Sequence, residues 1–242
     1  MVIEICATSV QSAINAEKAG ADRIELCSEL AVGGITPSYG LILKVLEKVK
    51  IPVYVLIRPR SGNFVYSDEE FETMIQDIEL CKDLGCDGIV SGVLNPDFTI
   101  EMERTQKLIW TAGEMNFTFH RAFDLTPNPY DSLNQLMELG VDRILTSGQA
   151  TSAENGIEVL KGLKEKAGDK LTILPGGGIN PNNIKLFQEN GFTEIHASAS
   201  GILSESPVPR ISMNSEKFWD ETNVYVSDLE IIRELVQNTN KH

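Results

Sequence analysis

The sequence has no apolar run approaching the roughly 18 residues that a membrane-spanning helix needs. Its first residues, Met1-Val2-Ile3-Glu4-Ile5, carry neither a basic region nor a cleavage pattern, so no signal peptide is expected. Basic residues are few: 21 Lys and Arg stand against 35 Asp and Glu, a formal net charge of −14. That deficit argues against sequence-independent nucleic-acid binding and against attraction to an anionic membrane surface. Cysteine is scarce too. The four thiols, Cys6, Cys27, Cys81 and Cys86, lack the short spacings of a zinc site. They are expected as reduced thiols in a cytoplasmic protein.

What is present is regular. With 42% hydrophobic residues in 242, the chain can bury a sizeable core as a single domain spanning 1–242. Short apolar runs alternate with helical patterns. Strands are expected at Val2 to Cys6, Arg23 to Cys27, Val53 to Ile57, Gly88 to Leu94, Asn116 to Arg121, Arg143 to Thr146, Leu171 to Leu174 and Glu194 to Ala197. Between them, Ser9, Thr36-Pro37, Ser67 with Glu70, Asn128-Pro129, Ser152 and Asn180-Pro181 mark helix starts, and a further helix covers about Glu101 to Ala112. Residues 201–226 show no clear period and read as an insertion before a last helix starting at Ser227. Eight alternating units imply a parallel sheet with helical crossovers, closed as a (β/α)8 TIM barrel. An open doubly wound sheet would need a glycine-rich loop after the first strand, and Cys6-Ala7-Thr8-Ser9 is not one. Four similar strings, Gly20-Ala-Asp-Arg-Ile24, Gly85-Cys-Asp-Gly-Ile89, Gly140-Val-Asp-Arg-Ile144 and Gly191-Phe-Thr-Glu-Ile195, reflect either ancient duplication or a favoured helix-to-strand turn.

In such a barrel the chemistry sits where strands end. Glu4 and Cys6 share one face of their strand, as do Glu25 and Cys27 of the next. Adjacent parallel strands would bring Cys6 near Cys27. The two thiols would either hold a soft ion such as Cu(I) or pack as small apolar groups. Arg58 and Arg60 would either bind a carboxylate or phosphate or pair with Glu4 or Glu25. His120, oriented by Asp124, and Glu25 are the acid–base candidates. Gly176, Gly177 and Gly178, with the helix start at Asn180 and with Ser198, would make an oxyanion seat or a tight turn.

Several unbroken strings resemble the CutC family, the proteins named for copper homeostasis. They are Glu4-Ile-Cys6, Gly20-Ala-Asp-Arg-Ile-Glu-Leu-Cys27, Gly33-Gly-Ile-Thr-Pro-Ser38, Ile57-Arg-Pro-Arg60, Tyr66-Ser-Asp68, Thr118-Phe-His-Arg-Ala-Phe-Asp124 and Leu145-Thr-Ser-Gly-Gln149. The resemblance covers residues 2 to about 200. It implies a (β/α)8 barrel, a cytoplasmic location, a homo-oligomer and a link to copper tolerance, with copper thiols at Cys6 and Cys27. The alternative expectation is an enzyme of isomerase, aldolase or lyase type acting on a small anionic substrate such as a sugar phosphate.

Overall fold

A computed structural model describes residues 1–205, 211 and 223–239. Eight parallel strands run β1 (Val2–Ala7), β2 (Arg23–Leu26), β3 (Val53–Leu56), β4 (Gly88–Ser91), β5 (Asn116–Phe119), β6 (Arg143–Thr146), β7 (Thr172–Pro175) and β8 (Glu194–Ala197). Each strand pairs with its neighbour in sequence, and β8 returns to pair with β1. A parallel bridge between Gly176 and His196 joins β7 to β8 and completes the ring. The chain thus forms the (β/α)8 barrel that its alternating pattern implies.

The helices are α1 (Val10–Ala19), α2 (Tyr39–Leu46), α3 (Asp68–Leu84), α4 (Met102–Ala112), α5 (Pro129–Leu139), α6 (Ile157–Ala167), α7 (Ile184–Glu189) and α8 (Leu229–Thr239). Side chains alternate along each strand. On β1, Ile3 and Ile5 join the main core, whereas Glu4 and Cys6 belong to the interior face. Space inside the ring is tight. A Cβ on Gly88 would meet the Tyr54 ring at 2.9 Å, so only glycine lets that ring lie across the barrel.

The repeated Gly-x-Asp string is a recurrent turn with a second function. Gly20, Gly85 and Gly140 cap their helices in the left-handed region, with φ of 89°, 78° and 77°. The aspartate two residues on accepts the backbone N–H at the start of the preceding strand. Asp22 takes Ile3 N at 2.8 Å, Asp87 takes Val53 N at 2.8 Å and Asp142 takes Phe117 N at 2.7 Å. Each clamp satisfies a buried donor that the ladder leaves over. In the fourth string Thr193 replaces the aspartate, and its carbonyl accepts from Val2 N.

Several element boundaries differ from those expected. Ser9 and Asn128 cap as expected, and Ser67 with Glu70 closes a reciprocal capping box. Ser38, one residue past Pro37, caps α2. Asn180 does not start α7. Its Oδ1 accepts from Asn182 N while Asn183 Oδ1 accepts from Asn180 N, so residues 180–183 close as a turn and the helix begins at Ile184. Ser152 serves a turn ahead of α6 by accepting from Asn155 N, and Gly156 occupies the cap position. Asp228 rather than Ser227 receives the first N–H groups of α8. Ser227 ends β10 (Asn223–Ser227), which pairs antiparallel with β9 (Ser200–Glu205), so the two described ends of the expected insertion form a two-stranded sheet. Residues 206–210 and 212–222 of the insertion lie outside the described residues. No helix among the described residues is long and apolar enough to cross a membrane.

Candidate functional site

Strand register builds the site. It sets Glu4 opposite Arg23 on β2 and opposite His196 on β8, and it sets Cys6 opposite Glu25. Facing residues on a sheet point the same way, so all these side chains meet inside the barrel. Arg23 Nε donates to Glu4 Oε2 at 2.5 Å, and its Nη2 donates to Glu194 Oε2 at 2.7 Å. Arg143 donates to the same Glu194 oxygen at 3.0 Å. Both guanidiniums lie over the Tyr54 ring. This buried network fills the barrel beneath the site.

Above it, His196 Nδ1 lies 2.7 Å from Glu4 Oε1 and 3.3 Å from Glu25 Oε2. Burial would push Glu4 up, but the His196 hydrogen bond and the Arg23 charge overcome it and hold the carboxyl at about 2. Glu25 goes the other way. Burial dominates, the Glu4 charge adds to it, and the carboxyl rises to about 7. For His196 burial acts downward, but the two carboxylates prevail and raise its affinity for a proton. Two carboxyl groups on one imidazole thus have very different proton affinities, an arrangement suited to proton transfer or to holding a cation.

The Sγ atoms of Cys6 and Cys27 are 3.4 Å apart. Both thiols are buried, yet both line a cavity of about 280 Å³ at the C-terminal mouth of the barrel. The hydrogen bond to Cys27, burial and the negative charge of Glu25 push the Cys6 thiol well above its usual range. Glu25, Arg58, His120, Arg121, Gly177, Gly178, His196 and Ser198 line the same cavity. All four cysteines are free, and Cys81 and Cys86 pack in the outer core.

Other expected residues are placed differently. The His120–Asp124 pair does not form. Strand β5 ends at Phe119, and His120 caps a 3-10 turn over Arg121–Leu125, where its Nδ1 accepts from Ala122 N at 3.3 Å. Asp124 instead binds Thr146 Oγ1, the N–H groups of Ser147 and Gln149, and Arg121 Nε. It fastens the loops after β5 and β6 together. Burial, reinforced by the nearby Arg58 charge, holds His120 at about 3, so it is neutral at physiological pH.

Neither Arg58 nor Arg60 pairs with Glu4 or Glu25. Arg58 lines the cavity but gives its terminal nitrogens to the carbonyls of Val32, Gly34 and Gly62. Arg60 does not line the cavity and is tied to Glu70 at 2.5 Å, so the expected binding of a carboxylate or phosphate by Arg60 at the mouth is not supported. The glycine loop does reach the mouth. Gly177 and Gly178 have φ of 104° and 78°, and their carbonyls are occupied by Ala153 N and by the Asn180 and Asn183 side chains. Gly176 lies beneath, packed on Leu145 and His196.

Three groups matter more than the sequence pattern suggests, with His196 standing there only as a second histidine behind His120. Arg23, not Arg58 or Arg60, neutralises Glu4. Arg121, 45% exposed, is the cation beside the glycine loop, where a Cβ on Gly177 would lie 3.4 Å from its guanidinium carbon. His196, not His120, is the histidine facing carboxylates. Its signal was present in the alternation of β8, which puts residue 196 on the interior face with Glu4 as neighbour.

The family model of the CutC family matches residues 1–201. A curated CutC family protein of Pasteurella multocida is 42% identical over 244 residues, covering 100% of both chains. One from Photorhabdus laumondii is 44% identical over 229 residues, covering 93% of this chain and 92% of its own. The crystal structure of a CutC protein of Streptococcus agalactiae, named for copper homeostasis, superposes with a TM-score of 0.77 at 37% identity, over 82% of this chain and 98% of that one. A thiamine phosphate pyrophosphorylase of Pyrococcus furiosus, at 12% identity and TM-score 0.62 over 99% and 96% of the chains, shares the fold alone. The chain belongs to the CutC family.

Proposed function

We propose that this chain is a cytoplasmic copper-homeostasis protein that binds Cu(I) through Cys6 and Cys27. The observation that supports this reading is the sulfur pair itself, with two Sγ atoms 3.4 Å apart on the wall of an open cavity. Thiolates are the soft ligands that Cu(I) prefers. The barrel presets both strands, so little ordering entropy is lost on binding. The cavity supplies the access that the buried sulfurs otherwise lack. Both ligands must lose protons, and Cys6 holds its proton tightly, so apparent affinity rises with pH. A competition titration against a coloured Cu(I) chelator under argon tests this. One equivalent of Cu(I) is expected to transfer to the protein, and Cys6→Ser with Cys27→Ser is expected to abolish transfer. Equal transfer to parent and double variant would refute the reading.

A second reading is an enzyme acting on a small anionic substrate. It is favoured by Arg121 standing beside Gly177 at the mouth, with Glu25 and His196 on the floor of the same cavity. Backbone approach at glycine plus a guanidinium suits a phosphate or carboxylate. Inorganic phosphate should raise the thermal midpoint of the parent and of Arg60→Ala but not of Arg121→Ala. No effect of phosphate on the parent would contradict this seat.

A further inference from the structure

We propose that Glu4, Glu25 and His196 form a binding site for a divalent transition-metal cation such as Zn²⁺ or Mn²⁺, separate from the thiol pair. One ligand atom from each residue lies within 4.8 Å of the other two. His196 Nδ1 is the common point, 2.7 Å from one carboxylate and 3.3 Å from the other. The three residues come from the adjoining strands β1, β2 and β8, whose ladder fixes their relative positions. The sequence scatters these ligands over 192 residues, but the closed ring makes them neighbours.

Glu25 is the independent indication that a ligand belongs here. It is 5% exposed, and among the described residues no N–H or O–H donates a hydrogen bond to its carboxylate. Among the described residues its one close polar contact is His196 Nδ1, and it faces the cavity. A carboxylate buried to this degree with only an imidazole beside it is costly unless something more fills its coordination. Glu4 is prepared in another way. Arg23 holds its Oε2, which fixes the carboxylate plane and leaves Oε1 turned to His196. A guanidinium behind a ligating carboxylate acts as the outer partner that orients it.

The donor set decides the class of ion. One imidazole nitrogen and two carboxylate oxygens suit Zn²⁺ or Mn²⁺, whereas the two thiols nearby suit Cu(I). The charges also allow it. Glu4 and Glu194 are paired with Arg23 and Arg143, whereas Glu25 is paired with no arginine among the described residues. A cation would take the place of the proton on Nδ1. Three protein ligands leave a coordination position open toward the cavity, as in catalytic rather than structural metal sites.

The test is isothermal titration of the full-length, chelator-stripped protein with ZnCl₂ and, separately, MnCl₂. The variants are Glu25→Gln, His196→Gln and Cys6→Ser with Cys27→Ser, each checked for native circular dichroism. One ion per chain is expected, weakened at least about tenfold by Glu25→Gln or His196→Gln. The double cysteine variant is expected to bind as the parent does. Absence of binding to the parent overturns the proposal. So does binding that survives Glu25→Gln and His196→Gln, or binding that disappears with the thiols. The Cu(I) reading stands or falls separately, because its titration depends on the cysteines alone.

Discussion

Arg23→Met destabilises the barrel by roughly 3–5 kcal/mol, the expected cost of removing one partner from a buried ion pair. Urea unfolding at pH 7 reads it. Arg23 is 5% exposed and Glu4 is fully buried, so solvent cannot take over the lost contacts. Glu194 keeps Arg143 at 3.0 Å, but Glu4 keeps only His196. Methionine fills much of the volume, so the loss reports charge rather than a cavity. Adding Glu4→Gln to Arg23→Met should restore part of the stability, because no ionised Glu4 is then left without its guanidinium. The acid response also changes. Glu4 is held at about 2 against an ordinary 4.5, so in the parent it contributes stability above pH 4.5 that is lost as pH falls toward 2. Without Arg23 that contribution shrinks. A loss under about 1 kcal/mol would show that the network does not hold the barrel interior together.

Glu25→Gln acts in the opposite direction and makes the metal-free protein more stable above pH 7. The sign follows from the raised carboxyl. Glu25 sits at about 7 in the fold against an ordinary 4.5, so the folded chain holds a proton that the unfolded chain has released. The penalty is absent below pH 4.5, grows between 4.5 and 7, and is complete above 7. At about 1.4 kcal/mol per unit, it reaches roughly 3 kcal/mol, which glutamine removes while keeping the shape. Thermal midpoints of parent and variant should coincide near pH 4 and separate by pH 8. Coincidence at both pH values would mean that Glu25 is paired or hydrated in solution. A group that weakens its own fold and faces a cavity is placed for binding rather than for stability.

The barrel was legible because its signals are local. Apolar strands, glycine stops and capping residues each act within a few positions, so eight units could be counted and the ring inferred. The thiol pair was legible for the same reason. Cys6 and Cys27 stand two residues beyond Glu4 and Glu25 on consecutive strands, and parallel pairing does the rest. The choice of partners was not legible. Arg58 and Arg60 were open to either a bound anion or the buried glutamates, but Arg58 is drawn to loop carbonyls and Arg60 to Glu70 of α3. Arg23 took that role because β1 and β2 place it directly opposite Glu4. The His120–Asp124 pair failed because β5 stops at Phe119 and the chain turns at His120. The meeting of Glu4, Glu25 and His196 depends on the register of β8 against β1, which the inferred ring allows but no local signal fixes. Within the glycine loop, asparagine side chains could cap either a helix or a turn, and at residues 180–183 they made the turn.

The most direct measurement is copper-edge X-ray absorption on the protein loaded under argon with one equivalent of Cu(I). Two sulfur neighbours are expected in the parent, and none when Cys6 and Cys27 are both serine. A spectrum showing only nitrogen and oxygen neighbours, or one unchanged by the double substitution, would place copper elsewhere and contradict the Cu(I) assignment.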